Sequence, residues 1–215
     1  MEEKTTIIAI FGASVTWGAF DFEKGGWVER LKIDLLKKDI FVYNLGIESN
    51  TTENLLMRFE NELGARIYSE TPYEEDYIPI IIFDIGKNDS IYNKEKGNTW
   101  VKIDKFEKNL NELIKQAKKF TSKIFFIGLA KVNEEETIPW EENGDSYCNE
   151  NIKKYNLVVE KICKEDGVYF IPIQDLLKKK DLSDGLHPNE NGHEKIFKRV
   201  KKFLFKEIKT PSAKL

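Results

Sequence analysis

The stretch Thr6-Ile7-Ile8-Ala9-Ile10-Phe11-Gly12 decides the fold of this chain. A continuous apolar and β-branched run that ends at a glycine is typical of a strand buried on both faces of a parallel sheet. Apolar residues recur at helical spacing over residues 27–36, and the alternation of strand and helix then repeats. The other predicted strands are residues 41–45, 77–84, 123–128 and 168–172, and the other predicted helices are residues 54–63, 103–120, 148–166 and 189–206. This order predicts an α/β fold, a three-layer α/β/α sandwich with a five-stranded parallel sheet, flavodoxin-like in shape.

The composition is that of a globular domain. Of the 215 residues, 40% are hydrophobic and 33% are charged, and the formal net charge is only −3. We expect a single domain over residues 1–208 and a flexible tail over residues 209–215. Because acidic and basic residues are interleaved, neither nucleic acid nor an anionic membrane is an expected partner. The sequence leaves the oligomeric state open.

The N-terminus and the cysteines favour a cytoplasmic location. The chain begins acidic, without the apolar core of a signal peptide, and no segment is long enough to span a bilayer. Cys148 and Cys163 lie in or near one predicted helix, too far apart along its axis to form a disulfide. We expect both thiols to be packing residues in a reduced, cytoplasmic protein without stable membrane association.

The first of the two histidines stands in a stretch suited to acid–base chemistry, Asp184-Gly185-Leu186-His187-Pro188-Asn189. A carboxylate three residues before a histidine can hold the near ring nitrogen, which leaves the far nitrogen free to take a proton from a hydroxyl. Gly185 permits the tight turn, and Pro188 keeps His187 out of the helix that follows. The stretch therefore predicts a general base in need of a nucleophile.

Polar residues follow the predicted strands at their carboxyl ends, where ligand sites of parallel sheets lie. Ser14 follows the first strand, residues 44–52 follow the second, and the Gly86-Lys87-Asn88-Asp89 stretch follows the third. A serine at a strand-to-helix turn projects its hydroxyl from the sheet. Its own N–H, a second N–H from the loop after strand two and the Asn88 amide are suited to hold the negative oxygen of a tetrahedral intermediate.

Four stretches of the chain together resemble the SGNH or GDSL-type hydrolases of the lipase and acylhydrolase group. Residues 12–16 resemble the nucleophile block, residues 44–52 the second block, residues 86–89 the Gly-x-Asn-Asp block and residues 184–188 the Asp-x-x-His block. They follow the family's order and span nearly the whole chain. The resemblance implies the SGNH hydrolase fold, with Ser14 as nucleophile, His187 as general base and acid, Asp184 as its partner and Asn88 as an oxyanion donor.

Two positions depart from the family pattern. The residue before the nucleophile is usually aspartate and is Ala13 here, so a carboxylate that commonly braces the serine loop is missing. The glycine of the second block falls at Ser49, whose backbone N–H can still serve as the oxyanion donor unless the loop needs a conformation reserved for glycine. Gly46 is the alternative donor.

Two long loops at strand ends, residues 88–100 and 132–147, are candidate walls of a substrate pocket. Each supplies a tryptophan, Trp100 and Trp140, that either contacts the substrate or packs back on the domain. Whether the acidic loop 132–147 is a lid stays open. His193 lacks the spacing of paired metal ligands and no phosphate-binding motif is present, so we expect neither a metal nor a cofactor.

The sequence is compatible with three functions. The leading hypothesis is a serine esterase that acts on a small-molecule ester through an acyl-enzyme, with a short acyl group or a small polar ester favoured over a long lipid. A catalytically impaired ligand-binding module on the same fold is the alternative, motivated by Ala13 and Ser49. A nucleotide-binding protein of flavodoxin-like shape is the third, and the lack of a phosphate-binding motif speaks against it.

Overall fold

The computed structural model describes residues 5–38, 40–67 and 77–208. Its strands are β1 (Thr5–Gly12), β2 (Ile40–Gly46), β3 (Tyr77–Asp84), β4 (Tyr92–Asn93), β5 (Asn98–Thr99), β6 (Ile124–Ile127), β7 (Asp145–Ser146) and β8 (Tyr169–Ile171). Its helices are α1 (Ser14–Trp17), α2 (Trp27–Leu36), α3 (Thr52–Ile67), α4 (Ile103–Ala117), α5 (Glu134–Thr137), α6 (Asn149–Asp166) and α7 (Glu190–Ile208). The predicted tail at residues 209–215 lies outside the described residues.

The main sheet has five parallel strands in the order β2-β1-β3-β6-β8. Counted within this sheet the order is 2-1-3-4-5, the order of flavodoxin-like folds, so the predicted fold class is confirmed. Helix α2 and strand β3 have the predicted bounds, and the bounds of the other predicted elements differ by one to four residues. For example, α3 is Thr52–Ile67 rather than residues 54–63.

Side chains of β1 alternate between two apolar cores, one on each face of the sheet. Ala9 and Phe11 face the core built with α3, α4 and α6, whereas Ile8 and Ile10 face the core built with α2 and α7. All four side chains are fully buried. The apolar run of β1 thus fixes the central layer of the sandwich, because each of its faces has a helical layer to bury against.

A second, three-stranded antiparallel sheet of order β5-β4-β7 was absent from the predictions. Its strands have two residues each, and they connect the two long loops, 88–100 and 132–147, to each other. The buried Asn93 side chain donates a hydrogen bond of 2.6 Å to Asp145 within this sheet. The two loops therefore form one layered wall beside the carboxyl ends of the main strands.

The helices in the described part of the chain are too short or too polar to cross a bilayer. Both cysteines are free thiols, and Cys163 is buried in the core on the α6 side.

Candidate active site

Three of the predicted site residues are joined by consecutive hydrogen bonds at the carboxyl ends of the strands. The Ser14 hydroxyl lies 3.0 Å from Nε2 of His187, and Nδ1 of the same ring lies 2.7 Å from Oδ2 of Asp184. Since an ionised carboxylate only accepts, Nδ1–H donates to Asp184 and Nε2 is left as the acceptor for the serine proton. This is the arrangement of a nucleophile, a base and a group that orients the base.

Asp184 is held in its charged form. Its burial tends to raise the pKa, but the hydrogen bonds from the ring and backbone of His187 and from the backbone of Leu186 outweigh burial and leave the pKa below its usual value. Oδ1 accepts the N–H groups of His187 and Leu186 at 2.7 and 3.0 Å. One carboxylate oxygen therefore fixes the turn while the other fixes the imidazole.

Glycine is required at position 185. Its φ of +82° lies in the left-handed region, and a Cβ built there would approach the Cβ of Glu136 to 2.6 Å. The turn closes with a hydrogen bond of 2.8 Å from the Ser183 N–H to the His187 carbonyl. As predicted, His187 stays outside the last helix, which begins at Glu190.

The serine turn is braced by a pair that sequence reasoning missed. Thr16, fully buried within α1, donates a hydrogen bond of 2.8 Å to the carboxylate of Asp84, the last residue of β3. Gly12 lets these groups come together, since a Cβ there would lie 1.9 Å from Oγ1 of Thr16. The turn at Ala13 thus has a carboxylate brace from the neighbouring strand, although position 13 itself supplies none.

A small cavity of about 30 Å³ is lined by Ser14, Asp84 and Lys87 together with apolar side chains. Burial lowers the pKa of Lys87 to about 8, while the charges of Asp84 and Asp184 act in the opposite direction. Burial likewise raises the pKa of Asp84, opposed by its bond from Thr16 and by the charge of Lys87. Lys87 therefore places a positive charge close to the carboxylates of Asp84 and Asp184.

The Asn88 side chain is oriented from both ends. Its oxygen accepts a hydrogen bond of 2.8 Å from the Tyr147 hydroxyl, and its amide nitrogen donates to the Asn50 carbonyl at 2.9 Å. Burial is the main cause that raises the pKa of Tyr147, so its hydroxyl stays a donor. One hydrogen of the Asn88 amide is left over, and this is the one available to a substrate oxygen.

The second-block loop favours Ser49 over Gly46 as the candidate donor. The Gly46 N–H is already donated to the side chain of Asn44 at 3.1 Å. The Ser49 N–H, by contrast, makes no hydrogen bond within the described residues. Ser49 has φ of +59°, the left-handed conformation that glycine adopts without strain, so serine occupies a backbone position suited to the family's glycine.

Asp89 caps a helix instead of facing the serine. Its carboxylate accepts the N–H of Thr52, the first residue of α3, at 3.0 Å and the Thr52 hydroxyl at 2.5 Å. The Thr52 hydroxyl oxygen in turn accepts a bond of 2.9 Å from Asn109. Asp89 is fully buried, and this burial raises its pKa to about 6. Within this block, Asn88 therefore lies at the candidate site, whereas Asp89 stabilises the fold.

We expect Asp89→Asn to remove one pH-dependent contribution to the free energy of unfolding. Because the folded-state pKa of Asp89 is about 6, above its ordinary value of 3.8, the folded protein favours the protonated form. The wild type should therefore lose stability relative to Asp89→Asn as pH rises from about 4 to about 6, by on the order of 3 kcal/mol. Urea unfolding of both proteins at pH 4, 5, 6 and 7 measures this difference.

The difference in unfolding free energy between the two proteins isolates Asp89, because the other titrating carboxylates are present in both. Carboxylates with lowered pKa values, such as Asp21 and Asp181, have the opposite pH dependence. A difference in unfolding free energy that stays constant across this range would show that Asp89 ionises normally in the folded state.

The two predicted tryptophans differ in position. The Trp140 ring lies edge-on to the His187 ring, with centroids 6.1 Å apart, and also packs against Tyr147 at 5.6 Å. Trp100 is 43% exposed beside the small sheet, and within the described residues it makes no ring contact with the candidate triad. The structure thus brings Trp140, but not Trp100, into contact with the candidate triad.

His193 has a structural position. Its side chain is fully buried, with Nε2 at 2.9 Å from the Ala19 carbonyl and Nδ1 at 3.2 Å from the Trp27 N–H. These partners require Nδ1 to accept and Nε2–H to donate, so the ring is neutral. Burial accordingly lowers its pKa. Among the described residues no group of three or more possible metal ligands is found.

The fold and the grouping of these residues at one sheet edge are typical of a hydrolase, and comparison with known proteins gives the family. The GDSL-like lipase/acylhydrolase family model matches residues 10–195. The chain belongs to this family and is a hydrolase that acts on ester bonds.

The curated relatives are distant but cover most of the chain. The isoamyl acetate-hydrolyzing esterase 1 homolog of Mus musculus is 24% identical over 216 residues, 94% of this chain and 82% of the relative. Protein YpmR of Bacillus subtilis is also 24% identical, with the same coverage of the two chains.

Solved structures share the fold at low sequence identity. A member of the lipolytic protein G-D-S-L family from Veillonella parvula aligns with a TM-score of 0.71 at 16% identity, covering 94% of this chain and 99% of that one. Axe2, an acetylxylan esterase from Geobacillus stearothermophilus, aligns with a TM-score of 0.67 at 20% identity, covering 100% of this chain and 99% of that one. These likenesses establish a common architecture.

Proposed function

We propose that this chain is a serine esterase that cleaves a carboxylic ester with a short acyl group through a Ser14–His187–Asp184 triad. The observation that carries the proposal is the unbroken hydrogen-bond chain from the Ser14 hydroxyl through both nitrogens of His187 to Asp184. A turn-forming serine or a structural histidine needs no such alignment, whereas an activated nucleophile does.

Acylation follows from these contacts. Oγ of Ser14 attacks the ester carbon as its proton passes to Nε2 of His187, and Asp184 stabilises the imidazolium that forms. The carbonyl oxygen becomes negative and is held by the N–H groups of Ser14 and Ser49 and by the free amide hydrogen of Asn88. The Ser14 N–H is available because the first N–H groups of a helix have no partner within that helix.

The alcohol leaves when Nε2 returns the proton to its oxygen. Water then attacks the acyl-enzyme by the same route, giving the acid and free Ser14. Each bond that forms or breaks is balanced by groups of the protein and by water. The proposal needs no cofactor.

The preferred substrate is an ester of acetic acid or of another short-chain acid. The similar proteins include a homolog of an isoamyl acetate-hydrolyzing esterase and, among solved structures, an acetylxylan esterase, and both names refer to acetate esters. The cavity beside Ser14, of about 30 Å³, has room for a small group only. These two observations favour a small acid portion of the substrate.

Labelling with a fluorophosphonate probe tests the proposal. We expect one adduct on wild-type protein, mapped to Ser14 by intact mass and peptide analysis, and none on Ser14→Ala. His187→Ala should abolish the adduct as well, because the serine then has no base. Ser183→Ala is a matched control, since the Ser183 side chain lies outside the candidate triad, and it should label like wild type. Folded wild type without an adduct would favour the impaired ligand-binding module.

A further inference from the structure

The catalytic imidazole is flanked by an aromatic residue with an unusual backbone. The ring of Phe20 stacks on the His187 ring with centroids 5.2 Å apart and an angle of 27° between the planes. Phe20 has φ of +64°, a conformation that bulky residues rarely adopt. Strain of this kind persists where the surrounding structure enforces it and is frequent at functional sites.

The loop that carries Phe20 is firmly held. The buried carboxylate of Asp21 accepts three backbone N–H groups, those of Glu23, Lys24 and Gly26, and pairs with buried Arg30 at 2.7 Å. His193 ties the two ends of the loop to α7 through the Ala19 carbonyl and the Trp27 N–H. Phe20 is therefore presented at a fixed position beside His187.

A second phenyl ring extends this surface outward. Phe22 is 85% exposed, and its ring meets the Phe20 ring edge-on with centroids 6.2 Å apart. Trp140 also contacts the His187 ring, with the two ring centroids 6.1 Å apart. Phe20 and Trp140 thus contact the imidazole that protonates the leaving group, and Phe22 extends the surface outward from Phe20.

The side of the site on which these rings lie identifies what they contact. Nε2 of His187 must reach the oxygen of the departing alcohol to return the proton, so the alcohol portion of an ester leaves past the His187 ring. The acyl oxygen points the other way, toward Ser49 and Asn88. Rings packed on the imidazole therefore border the alcohol, not the acid.

Several carboxylates lie near the same turn. The side chain of Glu136 lies directly against Gly185, and Glu141 and Asp145 act electrostatically on Tyr147, the partner of Asn88. Carboxylates at this edge repel an anionic alcohol. Exposed aromatic faces instead favour flat apolar surfaces of an uncharged ligand.

We propose that Phe20, Phe22 and Trp140 form a subsite for the leaving alcohol, and that this subsite binds an uncharged alcohol with a flat apolar ring face. Such a face belongs both to an aromatic alcohol and to a pyranose, whose axial C–H groups stack on aromatic rings. This inference rests on the proposed esterase function and adds the class of alcohol to it.

Two pairs of acetate esters test the subsite by kcat/KM. Benzyl acetate is compared with ethyl acetate, and a methyl xyloside monoacetate with glycerol monoacetate, so that each ring alcohol has an open-chain partner of similar acidity. We expect wild type to prefer the ring in at least one pair by about tenfold. The pair that shows the preference tells whether the alcohol is aromatic or a sugar.

Phe22→Ala should lower the ring preference by about three- to tenfold, the range of one lost aromatic contact. Because Phe22 is largely exposed, this variant keeps the fold, and Phe20→Leu is the second test. Phe41→Ala is the matched control: Phe41 is 45% exposed near the start of β2, at the end of the sheet away from the site, and should leave the preference unchanged.

The outcomes separate the subsite from the esterase function. Fluorophosphonate labelling of Ser14 in every variant, with no ring preference in wild type or with one that survives both substitutions, would overturn the subsite alone. Wild type that neither labels nor hydrolyses any of the four esters would overturn the esterase function and the subsite with it. A ring preference that Phe22→Ala and Phe20→Leu both reduce would support the proposal.

Discussion

Asp184→Asn is expected to lower the rate of acylation by about 10⁴-fold without unfolding the protein. The reason lies in the two oxygens of Asp184. Oδ1 accepts the backbone N–H groups of Leu186 and His187, and an asparagine oxygen keeps both bonds only if its NH₂ group takes the place of Oδ2. That NH₂ faces Nδ1 of His187 as a donor, so the ring must carry its proton on Nε2.

An imidazole with a proton on Nε2 has no lone pair for the Ser14 hydroxyl. The variant therefore keeps its shape and loses its base. The measurement is the second-order rate of fluorophosphonate labelling together with the acylation burst on p-nitrophenyl acetate, with thermal unfolding as the check on folding. A labelling rate equal to that of wild type would remove Asp184 from the triad.

Asp175→Asn is the matched control for this change. Asp175 is well exposed and forms a surface ion pair with Lys131, and such pairs contribute little to stability. Its neutralisation removes the same charge from the same part of the chain. We expect its labelling rate to stay within about twofold of wild type, so that a loss in Asp184→Asn reports position and not net charge.

The main sheet was predictable because each of its strands is a local run of apolar residues. Five apolar runs of strand length, separated by helical patterns, predict a parallel α/β fold. Because ligand sites of such sheets lie at the carboxyl ends of the strands, Ser14, Asn88 and His187 were expected at one edge. The fold class was correctly predicted on this basis, and the family was correctly predicted from the resemblance of four stretches in order along the chain. The offset of Asp184 from His187 likewise determined the predicted turn, since Asp184, Gly185 and His187 are all within one short segment.

The parts that were missed depend on contacts between distant segments. Strands of two residues, such as β4 and β7, have no pattern to detect and exist only because two loops meet. The bond from Tyr147 to Asn88 joins residues 59 positions apart. Phe20 was not predicted from the sequence, because a left-handed backbone at phenylalanine contradicts its own local preference. Tertiary structure enforces each of these features.

The brace at Ala13 illustrates how such contacts change an interpretation. From the sequence, alanine at this position suggested a weakened nucleophile turn. Thr16 and Asp84 supply a buried hydrogen bond to the same turn from α1 and β3. A residue that is absent from a motif can thus be replaced by one that is distant in sequence, and the motif alone does not reveal the replacement.

Asn88→Ala is expected to lower kcat by about 100-fold with little change in KM. The free amide hydrogen of Asn88 meets the substrate oxygen most strongly when that oxygen becomes negative, so its loss falls on the transition state. Tyr147→Phe should lower kcat by about tenfold, because the Asn88 amide stays in place but loses the hydroxyl that fixes its orientation. The two variants together separate the presence of the donor from its alignment.

Steady-state kinetics on p-nitrophenyl acetate give kcat and KM for both variants, and Asn111→Ala, at an exposed position of α4, is the control for a lost asparagine. The Asn88→Ala variant also leaves the Tyr147 hydroxyl and the Asn50 carbonyl without their partner, at a cost to stability of about 1–3 kcal/mol. Assays should therefore be run well below its unfolding temperature. An effect confined to KM would mean that Asn88 contacts the bound ester equally before and during reaction, and the oxyanion would then depend on the N–H groups of Ser14 and Ser49 alone.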